Sequence, residues 1–295
     1  MTNIYVITGP TGVGKTKLSV MLAKELKADI INADSMQIYK EMNIGTAKIT
    51  KSEMKRIPHH LFSIKSVKDS YSVYEYQKDC RKEMEKISKK KKNIIIVGGT
   101  GLYIKAALYN YIFKEEEKKN YDDLTDKEII EMIKKYGELP NIDLNNRRRL
   151  VRHLEKLEND SIPLNKKNEA LYDFKIIGLT TSREDLYRII DNRVDKMITD
   201  GLIDEVKDLY EQGINTIPVN TAIGYKELYK YFKGEISLGN AIELIKRNSR
   251  RYAKRQYTFF NHQFNNIKWL DVNFYNFNET YQEALDYFKD KEIVD

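Results

Sequence analysis

The chain reads as an α/β protein, a parallel sheet flanked by helices and interrupted by a small helical insertion. Three observations predict this. Short apolar runs alternate with stretches of helical period through the first half of the 295 residues. Glycine-rich or acidic residues follow those runs directly, at the strand ends where open parallel sheets collect ligands. Beyond residue 113 the pattern turns helical and heavily charged, returning to an apolar run only at residues 174–179.

The first run, residues 4–8, leads into GPTGVGKT at residues 9–16, a Gly-x-x-x-x-Gly-Lys-Thr loop. A helix follows over residues 15–26, because Leu18, Met21, Leu22 and Leu26 fall on one face. Strand, loop and helix in this order make a phosphate-binding loop, and the fold class is therefore a P-loop NTPase-like sheet. In such a loop Gly9, Pro10, Thr11, Gly12, Val13 and Gly14 wrap the phosphate oxygens, and the backbone N–H groups, which Pro10 alone lacks, converge on them. Lys15 adds a point charge, and the Thr16 hydroxyl can ligate magnesium at the helix N-terminus. The motif names a bound group, not a reaction.

The second run, residues 29–33, ends in Asp34-Ser35-Met36-Gln37. A helix near residues 73–87 starts on a capping box made by Ser72 and Glu75. The four lysines at 89–92 form its solvated end. A third run at 93–97 ends in Gly98-Gly99-Thr100-Gly101. Residues 114–171 read as the insertion, with a charged run at 115–119, a cap at Thr125 with Glu128, and Pro140 and Pro163 as breakers. After the returning strand come helices at 184–198, 202–212 and 238–260, the middle one closed by Gly213. The chain thus divides into a core of residues 1–113 plus 172–295 and the insertion 114–171.

Composition narrows the partners. No apolar run approaches the roughly 18 residues of a membrane span, and the mean hydropathy is −0.61, so no membrane partner is expected. The first residues enter a strand without a secretory or Arg-rich leader, which gives the cytoplasm as the expected location. A monomer is the expected state. One cysteine excludes an internal disulfide and a cysteine-based zinc site, and Cys80, beside Val73, Tyr76, Met84 and Ile87, reads as a core thiol. His59 and His60 read as structural hydrogen-bonding groups. Lys plus Arg number 51 against 44 Asp plus Glu, a net charge of +7, which favours a polyanionic partner.

The cations are concentrated. Lys246, Arg247, Arg250, Arg251, Lys254 and Arg255 fall within ten residues and form two rows at four-residue spacing. No acid within that stretch pairs with them, which favours phosphate contacts over a solvated face. Arg147, Arg148, Arg149 and Arg152 make a second cluster, and 21 tyrosines offer stacking surfaces for unpaired bases.

Many P-loop hydrolases and kinases place an Asp after an apolar strand to hold magnesium. Here the run at 93–97 ends in two glycines instead, which weakens an NTP-hydrolysis reading. Asp34 is left as the carboxylate at a strand end, either a magnesium organiser, a general base or a loop cap. Thr100, between glycines, either turns the chain or meets a ligand.

Taken in order, several stretches resemble the tRNA dimethylallyltransferase family, the tRNA isopentenyltransferases. They are GPTGVGKT at 9–16, DSMQIY at 34–39, NIGTAK at 43–48, PHHL at 58–61, YSV at 71–73 and GGTGLYIKA at 98–106. They continue with NNRRRLVRHLE at 145–155, RVDKMI and GLIDEV within 193–206, AIGYKE at 222–227 and RRYAKRQYTFF at 250–260. The resemblance implies transfer of a dimethylallyl group from dimethylallyl diphosphate to N6 of the adenosine immediately 3′ of the tRNA anticodon. Asp34 resembles the general base, and the P-loop then holds a diphosphate, with Lys15 and magnesium on Thr16 stabilising its departure. Thr100 resembles a position that meets the tRNA near the reacting base.

The residues expected to meet the anticodon stem-loop are Asp34, Ser35, Met36, Gln37, Thr100, Arg147, Arg148, Arg152, Arg247, Arg251 and Arg255. The insertion matches the family's anticodon-stem-binding appendage but is short and rich in Lys and Asn. No eukaryotic-type zinc-finger extension is seen, which implies the bacterial type. Rival readings are a small-molecule P-loop kinase, a free-nucleotide (adenylate) isopentenyltransferase and a non-catalytic RNA-binding protein.

Overall fold

The computed structural model describes residues 2–113, 120–137, 139, 144–158 and 169–290, without the side chain of Arg148. The charged run at 115–119, Pro140 and Pro163 lie outside the described residues. The chain divides into two compact units, Met1–Leu108 with Tyr172–Asp295, and Tyr109–Leu171. The second unit begins ahead of residue 114 because the backbone already pairs across its base. Tyr109 bridges Ala170, and Asn110 N donates to Glu169 O at 2.8 Å.

The first unit is built on six parallel strands in the order β3-β2-β4-β1-β5-β6. They are β1 (Ile4–Thr8), β2 (Ala28–Asn32), β3 (His59–His60), β4 (Asn93–Val97), β5 (Phe174–Thr180) and β6 (Lys268–Asp271). Every residue of β1 and β2 is buried, as expected of strands covered on both faces. The two edge strands escape a reading of hydropathy. β3 has two residues and β6 four, too few to display a period.

Helix α1 (Lys15–Leu26) buries Leu18, Leu22, Ala23 and Leu26 against the sheet, while Met21 is only half-buried. α2 (Val73–Lys89) starts on the Ser72–Glu75 capping box and buries Tyr76, Cys80, Met84 and Ile87. Burial pushes the Cys80 thiol up to about 12, so it is a core group and not a nucleophile. α3 (Gly101–Leu108) is buried almost all round and therefore has no polar face for periodicity to show.

The second unit holds α4 (Asp126–Lys134) and α5 (Arg147–Glu158), which close over Tyr121, Ile129, Ile133, Leu150 and Leu154. The cap expected at Thr125 is present, with Glu128 completing the box. Back in the first unit follow α6 (Arg183–Thr199), α7 (Leu202–Glu211), α8 (Ile217–Thr221) and α9 (Tyr225–Phe232). α10 (Leu238–Gln263) and α11 (Phe277–Lys289) end the chain. Among the described residues no helix is long and apolar enough to cross a membrane.

The histidines pair locally. His59 Nδ1 lies 2.8 Å from Ile57 O, and His60 lies 3.2 Å from both Asp29 and Glu83. Lys92 corrects the expected solvated helix end: it turns inward to the buried Asp29 carboxylate at 2.8 Å. A carboxylate inside the sheet needs such a partner.

Candidate active site

Strand order decides which loops meet. β2, β4 and β1 are neighbours, so the segments after them lie side by side at one end of the sheet. They line a cavity of about 1010 Å³ together with α6, the 221–226 segment and α10. Into it face Thr11, Gly12, Gly14, Lys15 and Thr16 from the P-loop and Asp34, Ser35, Met36 and Gln37 from the second strand end.

The P-loop takes its shape from close packing. Gly9 has φ 131°, and a Cβ there would sit 2.5 Å from Leu179 O, so only glycine fits. Val13 points the other way, fully buried in the core, and so anchors the loop. Lys15 Nζ donates to Gly9 O at 3.0 Å and Pro10 O at 2.6 Å. Burial pushes the Lys15 ammonium down to about 7, with Arg193 acting in the same sense and Asp34 opposing.

Asp34 sits in an Asx-type turn, its Oδ1 accepting from Met36 N at 3.1 Å. The buried Asn32 fixes the turn by accepting from Asp34 N at 2.9 Å and donating to Asp34 O at 3.0 Å. Thr100 closes the gap to the third loop. Its hydroxyl accepts from Ser35 N at 3.0 Å, and its own N–H donates to Ala33 O at 3.1 Å. Gly98 permits this approach, because a Cβ there would lie 2.2 Å from the Ala33 carbonyl.

Three cavity residues had no role assigned from sequence. Arg193 on α6 lies among the buried Ile190, Val194 and Met197, and burial lowers its pKa while Asp34 opposes the shift. A cation on an otherwise apolar helix face was the available signal. Tyr252 and Gln256, four apart on α10, also face the cavity. Burial, then the nearby Asp34, keep the Tyr252 phenol protonated, and Thr100 is among its hydrogen-bonding neighbours.

The basic helix divides in two, which corrects the expectation that its cations lack acidic partners. Lys246 pairs with Asp195 at 2.8 Å and Arg250 with Asp191 at 2.5 Å, both acids coming from α6. Arg247, Arg251, Lys254 and Arg255 remain exposed, and Arg255 lines the cavity with its guanidinium 5.6 Å from the centre of the Tyr252 ring. In the second unit Arg147 is engaged internally, at 2.7 Å from both Asp126 and Tyr121 O, and Arg152 lies 3.3 Å from Glu155. Arg148 is described only in its backbone.

Among the described residues no group of three or more His, Cys, Asp or Glu side chains is arranged to hold a metal ion. Among the oxygen donors that line the cavity, the Thr16 hydroxyl and Asp34 suit a hard cation that shares its coordination with ligand oxygens and water.

A family model described as IPP transferase matches residues 37–263. The tRNA dimethylallyltransferase of Anoxybacillus flavithermus is 46% identical over 281 residues, covering 91% of this chain and 90% of that protein. The crystal structure of a full-length tRNA isopentenylpyrophosphate transferase from Bacillus halodurans superposes with a TM-score of 0.76 at 38% identity, covering 98% of this chain and 97% of that one. A eukaryotic dimethylallyltransferase captured acting on tRNA gives a TM-score of 0.75 at 28% identity over 97% of this chain and 78% of that chain. With its P-loop, strand-end carboxylate and glycine loop gathered around one cavity, and with these relatives, the chain belongs to the IPP transferase family and is a prenyltransferase.

Proposed function

We propose that this protein transfers a dimethylallyl group from dimethylallyl diphosphate to N6 of the adenosine immediately 3′ of the anticodon, yielding N6-dimethylallyladenosine and diphosphate. It does so in the cytoplasm as a monomer. The observation that carries the reading is that Asp34 and Lys15 share one cavity and act on each other electrostatically.

The adenine amino group is a weak nucleophile because its lone pair is delocalised into the ring. As the N6–carbon bond forms and the carbon–oxygen bond to diphosphate breaks, a proton must leave N6. Asp34 accepts that proton. The bond from Met36 N–H to Oδ1 orients the carboxylate for this task. Lys15 and the P-loop amides take the charge that builds on the departing diphosphate. Magnesium, held by the Thr16 hydroxyl and the diphosphate oxygens, would neutralise part of that charge when bound.

The bond from Ser35 N to the Thr100 hydroxyl supports a role for these two residues in holding the acceptor base near Asp34, Ser35 from the cavity wall and Thr100 from behind it. The adenosine leaves its stack to reach them, at a cost of a few kcal/mol that is smallest in a single-stranded loop. Exposed Arg247, Arg251 and Arg255 on α10, with Arg148 and Arg152 of the helical unit, supply the phosphate contacts. Arg147 serves the packing of that unit.

Incubation with either ATP or dimethylallyl diphosphate, each with and without tRNA, tests the reading. Mass analysis of the nucleosides should show prenylated adenosine only with dimethylallyl diphosphate and tRNA together. ATP-dependent phosphorylation without RNA would favour the kinase, and prenylation of free AMP the free-nucleotide enzyme. The exposed cations of α10 argue against both, since a small acceptor needs no such face.

A further inference from the structure

Gln256 is 5% exposed and sits one turn beyond Tyr252 on the inward side of α10. Both ends of its amide are used. Oε1 accepts from Thr11 N at 3.1 Å, and Nε2 donates to Gly99 O at 2.9 Å. One side chain thereby ties the loop after β1 to the loop after β4. The fit is close, since a Cβ on Gly99 would lie 2.0 Å from Nε2.

The tie continues past Gly99. Thr100 N donates to Ala33 O, and the Thr100 hydroxyl accepts from Ser35 N, which fixes the glycine loop to the Asp34 segment. On the same helical turns Arg251 and Arg255 are exposed, and Arg255 also lines the cavity. α10 thus carries exposed cations beside the clamp between the two loops.

We propose that Gln256 is a positioning residue that sets the separation between the loop gripping the leaving group and the loop receiving the acceptor base. This rests on the prenyl-transfer reading above. Displacement at carbon needs the nucleophile and the carbon held roughly 3 to 3.5 Å apart, and a misplacement of about 1 Å can lower the rate about 100-fold. Helix α10 spans 26 residues and is anchored through Lys246 and Arg250 to α6, so it is a rigid strut for that purpose. An amide suits the position because Thr11 N needs an acceptor and Gly99 O needs a donor. Ionised Glu offers only acceptors, and Met offers neither group with useful strength.

Gln256→Met and Gln256→Glu test the role in the full chain. The measurements are pyrophosphate affinity by calorimetry, affinity for an anticodon stem-loop RNA, kcat and KM for dimethylallyl diphosphate, and thermal midpoint. For Gln256→Met, loss of two hydrogen bonds should lower kcat/KM about 10- to 100-fold and weaken pyrophosphate binding about 5- to 10-fold. RNA affinity should stay within about twofold, because the exposed cations are untouched.

Gln256→Glu should be slow at neutral pH and regain rate relative to Gln256→Met as the pH is lowered, since a protonated carboxyl again donates to Gly99 O. A lowered thermal midpoint with wild-type kcat, KM and pyrophosphate affinity would overturn the role, as would coincident pH profiles of the two variants. If Gln256→Met does not fold, the pH profile of Gln256→Glu against wild type still decides. A wild-type chain that binds pyrophosphate yet prenylates no RNA would sink the reaction reading instead. The effect of Gln256→Met on pyrophosphate affinity reads the clamp separately.

Discussion

Asp34 and Lys15 line one cavity, and the roles proposed for them, base and leaving-group cation, each make a separate prediction. Asp34→Ala should lower single-turnover kcat by about 10² to 10⁴ while leaving RNA affinity within about twofold, because a general base acts on the transition state and not on docking. Full turnover in that variant would remove Asp34 from the chemistry. For Lys15 the linkage has a defined sign. Its folded value of about 7 lies below the ordinary lysine value of 10.5, so the unfolded chain binds more protons between those limits and this group's contribution to stability rises with pH across that window. A bound diphosphate favours the charged ammonium and raises the value again. Pyrophosphate binding near pH 8 should therefore take up protons, measurable by calorimetry in buffers of different ionisation enthalpy, and the uptake should vanish in Lys15→Met.

At the level of elements, α10 separates into cations that are paired within the protein and cations that are exposed. Lys246 and Arg250 are neutralised by Asp195 and Asp191 of α6, whereas Arg251 and Arg255 are exposed. Arg251→Ala or Arg255→Ala should weaken RNA binding and reduce the slope of log affinity against log salt by about 0.7 to 0.9 per lost phosphate contact. Arg250→Ala should leave that slope unchanged and lower stability by about 1 kcal/mol, a modest figure because the pair is partly exposed. Denaturant titration beside salt-dependent binding distinguishes the two classes. Sequence spacing revealed the two rows of cations but not their partners, because Asp191 and Asp195 lie on a different helix, more than fifty residues earlier.

Across the whole molecule, the strand order brings together chemistry that is scattered along the chain. β4 pairs with both β1 and β2, so the P-loop, the Asp34 segment and the Gly98–Gly101 loop become neighbours although up to about ninety residues separate them. The helical unit, in contrast, has its own core of Ile129, Ile133, Leu150 and Leu154 and closes its base between Tyr109 and Ala170. Its two ends emerge close together, so a short glycine linker can replace residues 109–171. Such a variant should unfold cooperatively and retain pyrophosphate affinity within about threefold, read by thermal denaturation and calorimetry. Loss of the cooperative transition would mean that the first unit depends on the second.

The sequence by itself determined the P-loop, the α/β class and the strand-end carboxylate, because each is a local pattern: a glycine spacing, a hydrophobic period, a residue directly after an apolar run. It also carried the family, through motifs ordered along most of the chain. Arg193, Tyr252 and Gln256 were present in those motifs without a role, since nothing in a helical repeat says which turn will face a ligand. The tertiary structure decided that α10 lies across the strand ends, that Gln256 joins two loops and that Lys246 and Arg250 of the basic helix are neutralised. Those are contacts between distant segments, fixed by how the sheet stacks its helices, and no local pattern encodes them.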